Sequence, residues 1–139
     1  MGNALYDKAR ESFLSQNPTL DWDTDDIKAV LVRGYTPSLS SHQYLSDVTG
    51  GGGGTIVATS SNLASKTVTA GVADAADITW TAVASGAACN HVVIYKDTGT
   101  ASTSPLIGCI DSGTGLPVTP NGGDINVTWD NGANKIFKL

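Results

Sequence analysis

The stretch from His91 to Asp111 constrains this chain more than any other. His91-Val92-Val93-Ile94-Tyr95-Lys96 and Leu106-Ile107-Gly108-Cys109-Ile110-Asp111 are apolar runs without helical spacing, and the connector Asp97 to Pro105 is made of turn formers. The pattern predicts a long-looped antiparallel pair of strands. Val92, Val93, Ile94 and Tyr95 leave the first strand no polar face, so it is expected to be covered on both sides, near the middle of a layered structure.

Other strands are read at Ile27 to Val32, Thr55 to Thr59, Lys66 to Val72, Ile78 to Val83, Ile125 to Trp129 and Lys135 to Leu139. With the central pair they make about eight, the number of a two-sheet β-sandwich or jelly roll. Ile78, Trp80 and Ala82 alternate with Thr79 and Thr81, and Ile125, Val127 and Trp129 with Asn126 and Thr128, so Trp80 and Trp129 are expected in the core. Asn121-Gly122-Gly123 and Asn131-Gly132 read as turns. The expectation is one all-β domain over residues 1–139.

Ahead of the strands, Leu5, Tyr6, Ala9, Phe13 and Leu14 recur at helical steps, predicting a helix over about residues 4–16, capped by Asn3 and ended by Pro18. Such a helix either plugs one end of the sandwich or reaches out to a neighbour, and the sequence does not choose. One or two helical turns are read between Ser40 and Val48. The run Gly50 to Gly54 follows; it lacks the Lys-Ser/Thr pair of a phosphate-cradling loop and reads as the most flexible point of the chain.

Chemistry is hard to find. The alternating aspartates from Asp21 to Asp26 suggest a calcium loop, but positions six and twelve, counted from Asp21, are Asp26 and Val32 where Gly and Glu are required. His42 and His91 lack a nucleophile elbow that would make either a catalytic base. Asp74 and Asp77 read as turn solubilisers, and Asn126-Val127-Thr128, a glycosylation triplet, falls inside a strand. Cys89 and Cys109 are expected as free, buried thiols. No catalytic residue, metal ligand or cofactor is assigned, and an enzyme is not expected. A net charge of −5 disfavours nucleic acid or an anionic membrane as partner. With neither an export signal nor a bilayer-length apolar run, synthesis is expected in the cytosol.

The opening Asn3-Ala4-Leu5-Tyr6-Asp7-Lys8-Ala9-Arg10-Glu11-Ser12-Phe13-Leu14, Ile27 to Val32, Lys66 to Val72, Val93 to Gly99, Leu116 to Asp124 and Trp129 to Phe137 resemble the small head cement (decoration) proteins of tailed bacteriophages. The resemblance implies a jelly-roll protein of the virion, made in the host cytoplasm. It would bind the outer face of the assembled capsid and stabilise contacts between major capsid protein subunits, as a homo-oligomer with a dimer expected. Two segments are then expected to meet the partner, both loose until docked: the N-terminal helix through Leu5, Tyr6 and Phe13, and the loop through Gly50, Gly51, Gly52, Gly53 and Gly54. The alternative is a phage receptor- or glycan-binding β-sandwich, or another accessory structural protein. A binding module of that kind would expose aromatics such as Trp22, Tyr35 or Tyr44 in one groove.

Overall fold

The computed structural model describes residues 3–113 and 115–139. In chain order its elements are β1 (Ala4–Leu5), α1 (Asp7–Ser15), β2 (Ile27–Arg33), α2 (Leu45–Thr49), β3 (Thr55–Thr59), β4 (Thr67–Thr69), β5 (Val72–Asp74), β6 (Ile78–Trp80), β7 (His91–Lys96), β8 (Leu106–Ile110), β9 (Ile125–Val127) and β10 (Phe137–Lys138). The fold is mostly antiparallel β with a short N-terminal helix. A main sheet of order β1-β8-β7-β2-β3 has the central hairpin inside it, with β7 as its middle strand. Two small sheets, β10-β5-β4 and β6-β9, complete the β-structure of the described residues.

β2 and β7 are apolar on both faces because both faces of the main sheet are covered. Ala29 pairs with Ile94 and Leu31 with Val92, which puts these four on one face; Val30, Val32, Val93 and His91 lie on the other. The first face meets the small sheets, and Trp80 of β6 donates its indole N–H to the Ala29 carbonyl at 3.3 Å. The second meets the helical side of the molecule, where Gly54 packs on Val32. Trp22 and Trp129 work like Trp80, each donating its indole N–H to a backbone carbonyl, Asp74 and Ala76 respectively, both at 3.0 Å. All three tryptophans are buried. One buried cluster runs from Leu5 to Trp129.

Several sequence expectations are corrected. The helix starts at Asp7, not near residue 4, because Ala4 and Leu5 pair with Cys109 and Gly108 as an edge strand. Asn3 is not its cap: the Asn3 carboxamide oxygen accepts the backbone N–H groups of Asp111 and Ser112 and ties β1 to the end of β8. Lys66 to Val72 is not one strand but a hairpin, β4 and β5, turned by Ala70 and Gly71 at φ 52° and 78°. Ile78 to Val83 ends as a strand at Trp80, since Ala82 has φ 48° and leaves the extended region. Ile125 to Trp129 stops at Val127, and Lys135 to Leu139 shrinks to Phe137–Lys138. The turns expected from Ser40 settle as α2, whose start is held by the Asp47 carboxylate accepting the N–H groups of Gln43 and Tyr44 at 2.8 and 2.9 Å.

Candidate functional site

The most connected polar side chains of the interior surround Tyr35. Its hydroxyl lies 2.7 Å from that of Tyr6 and 2.9 Å from Nδ1 of His42. The Ser38 N–H also donates to Nδ1, which makes that nitrogen an acceptor. Tyr35 therefore donates to His42, and Tyr6 donates to Tyr35. Around the Tyr35 ring, His42 stacks at 5.7 Å and His91 approaches edge-on at 5.4 Å. Burial pushes the Tyr35 hydroxyl up to about 12 and the Cys109 thiol beside Tyr6 up to about 11, and it raises Tyr6 further still. These groups stay protonated through the neutral range. The network is a fastening, built of donors and acceptors that satisfy one another.

This fastening decides where the expected contact residues go. Leu5 and Tyr6 are buried, Tyr6 completely, so neither side chain is offered to a partner. Phe13 is half-buried against Phe137, with ring centroids 6.0 Å apart. The glycine run is not a loose loop. Gly50 N–H donates to Ser46 O, Gly52 to Asp47 O and Gly54 to Val48 O, closing the end of α2, while Thr36 N–H donates to Gly52 O. A β-carbon on Gly52 would sit 2.6 Å from Cδ1 of Tyr35, and one on Gly54 would sit 2.8 Å from the Val32 side chain. Gly52 is small because the Tyr35 ring lies against it, and Gly54 because the Val32 side chain and the Tyr35 β-carbon do. Gly50, Gly51 and Gly53 face solvent, Gly53 at φ 67°.

The acidic segment is likewise committed. Asp25 accepts the Asp21 N–H and pairs with Lys96 at 3.2 Å, and Lys66 reaches the Asp25 carbonyl. Asp21 and Asp23 share a hydrogen bond that lowers the first carboxyl and raises the second. Lys28 and Asp97 form an ion pair at 2.7 Å, and Lys135 lies 3.3 Å from Asp74. Among the described residues, no group of three His, Cys, Asp or Glu is placed to hold a metal ion. Trp22 and Tyr35 are core residues, so the aromatic groove that would mark a glycan-binding module is not formed from them. A recess of about 800 Å³ does open between the main sheet and β9, with Leu31, Val92 and Trp80 inside and Asn126, Asp130 and Lys135 among its lining.

What the sequence did not single out is a set of exposed apolar side chains around the contact of Phe13 with Phe137. Large apolar side chains that stand exposed are Leu14 at 89%, Leu139 at 59% and Val68 at 54%. They flank one line of contacts. Phe13, next to Leu14, packs on Phe137; Phe137 pairs with Ala73, and Ala73 with Val68; Leu139 follows two residues along. Trp22 supports Phe137 edge-on at 5.1 Å. The signal available in the sequence was Leu14, which falls outside the stripe set by Tyr6, Ala9 and Phe13 once the helix begins at Asp7. No family model matches this chain, and no curated protein matches it.

Proposed function

We propose that this protein is a head cement protein of a tailed bacteriophage, binding the outer face of the assembled capsid and stabilising contacts between major capsid protein subunits. Its sheets are read as a jelly-roll sandwich whose second sheet is split into β10-β5-β4 and β6-β9, and its working form as a dimer. The sequence resemblance supplies the class of partner. The observation that carries a surface-binding role is the exposure of Leu14, Leu139 and Val68 around the half-buried Phe13–Phe137 contact, which Trp22 supports edge-on. Single exposed apolar residues are ordinary, but a row of them on a rigid support marks an interaction surface. Binding through a preformed face avoids the entropy of ordering a loop.

The test is co-sedimentation of purified protein with expanded capsid shells of the phage that encodes it, followed by thermal disassembly of the loaded shells. Saturable binding and a higher disassembly temperature are expected. Protein left in the supernatant at micromolar concentration would overturn the reading.

A further inference from the structure

Two Asn-Gly pairs stand in this chain, Asn121-Gly122 and Asn131-Gly132, and both are exposed and outside helices and strands. The dipeptide carries a latent reaction. The backbone nitrogen of the glycine can attack the asparagine Cγ, since no side chain on the glycine shields it, and a ring closes as ammonia leaves. Identical dipeptides start with the same chemistry, so the fold decides which of the two reacts.

At the first site the reacting groups are held. The Gly122 N–H donates to the Val83 carbonyl at 2.8 Å, and the Val83 N–H returns a bond to the Gly123 carbonyl at 3.0 Å. The Asn121 carboxamide oxygen accepts the Gly123 N–H at 3.0 Å. Attack requires the nitrogen to leave a backbone pairing while the carboxamide leaves its turn. Asn131 meets neither restraint. Its side chain is exposed and has no hydrogen bond among the described residues. The Gly132 N–H is held only by the carboxylate of Asp130, itself exposed, at 3.1 Å, a contact that water readily replaces. A β-carbon at position 132 would lie 3.0 Å from Oδ2 of Asp130, so the turn itself selects the residue that leaves the nitrogen open to react.

We propose that Asn131 is a site of spontaneous deamidation. The Gly132 nitrogen bonds to Cγ of Asn131, the bond from Cγ to the side-chain nitrogen breaks, and the proton of the Gly132 nitrogen leaves with that amide as ammonia, giving a succinimide. Water then adds to a ring carbonyl and cleaves its bond to the Gly132 nitrogen, which regains a proton. Opening at the α-carbonyl leaves isoaspartate, and opening at Cγ leaves aspartate; either product adds one negative charge. Water is the only co-reactant. In the isoaspartate the main chain runs through an extra methylene. Trp129 before it and Ile136 after it are fastened, the first by donating its N–H to the Asp77 carboxylate and the second by donating to the Ala73 carbonyl, so residues 130–135 have to absorb the change. That segment carries Lys135, the ion-pair partner of Asp74, and leads into β10.

The test incubates the purified full chain, without capsids, in mildly alkaline buffer at physiological temperature, both native and in urea. Asn121 and Asn131 are followed by peptide mass spectrometry with enzymatic labelling of isoaspartate. In the native protein Asn131 is expected to convert at least about tenfold faster than Asn121, because only Asn121 must first open paired backbone. In urea the two rates should converge. Gly132→Ala, compared in urea so that folding plays no part, should slow conversion at residue 131 and leave residue 121 unchanged. Equal native rates, a difference that persists undiminished in urea, or a native Asn131 that survives while the urea sample converts would each overturn the proposal. Aspartate as the sole product would overturn it too, since that is direct hydrolysis without a ring. None of these outcomes bears on the capsid reading.

Discussion

Strands β2 and β7 pair through six residues each and bury every β2 side chain from Ala29 to Val32, whereas β6 and β9 in the facing layer pair through three and depend on a few large side chains. The main sheet spreads its stability over many interchangeable aliphatic contacts. The facing layer concentrates it in Trp22, Trp80 and Trp129, each filling a large volume and each satisfying a backbone carbonyl with its indole N–H. The difference separates a frame from attachments.

The largest effects should follow that division. Trp80→Ala is expected to cost about 3–5 kcal/mol, the range for emptying a large buried aromatic site, while Ile94→Val on the frame should cost about 0.5–1.5 kcal/mol. Urea denaturation of both variants measures this, and equal costs would erase the distinction.

Next comes the fastening around Tyr35. Gly52→Ala drives a β-carbon into the Tyr35 ring and should cost about 1–3 kcal/mol, as overpacking does. Tyr35→Phe leaves the Tyr6 hydroxyl and His42 Nδ1 without their shared partner and should also cost about 1–3 kcal/mol. Thermal melts decide both. A Gly52→Ala protein as stable as the parent would mean that the glycine run is loose after all.

A smaller effect is expected at the ion pair of Lys28 and Asp97, which closes the entry to the long connector. The hydrogen bond from Lys28 holds the Asp97 carboxyl below its ordinary value. A lowered carboxyl stabilises the fold above the unfolded value near 3.9, and its contribution disappears as pH falls through the lower folded value. With about a quarter of each side chain exposed, Asp97→Asn should cost about 0.5–1 kcal/mol at pH 7 and progressively less as the pH falls through the lowered folded value. Stability curves of both proteins across that pH range check this.

The frame was legible in the sequence because a run such as Val92 to Tyr95, apolar at every position, has few places to go except the middle of a covered sheet. Trp80 and Trp129 were legible from alternation. The hairpin at Ala70-Gly71 was not, since Thr67, Val68, Thr69 and Val72 are β-forming and a single glycine among them reads as a weak strand position. The glycine run misled for a different reason. Repeated glycine signals freedom when only neighbours along the chain are considered, but Gly52 and Gly54 are small to admit Tyr35 and Val32, which lie 17 or more residues away in sequence. Leu5 and Tyr6 were assigned to a partner because helical spacing was extended through them. The pairing of Ala4 and Leu5 with β8, a contact across more than a hundred residues, commits them to the core instead. Deleting the first sixteen residues would therefore remove part of the main sheet and could not isolate a docking segment.

In the proposed function, the exposed apolar residues Leu14, Val68 and Leu139, and not the acidic segment or an ordering loop, hold the partner. Co-sedimentation with expanded capsid shells at low and high salt tests it most directly. The comparison uses the parent protein, a Leu14→Ser/Val68→Ser variant and an Asp21→Asn/Asp23→Asn variant. Losing one Leu and one Val from a buried interface forfeits about 1.5–3 kcal/mol each, so the Leu14→Ser/Val68→Ser variant should bind at least about tenfold more weakly at both salt concentrations. The aspartate variant should match the parent, because exposed charges contribute little and are screened. Binding retained by the Leu14→Ser/Val68→Ser variant and lost by the aspartate variant, with the parent released at high salt, would contradict the claim.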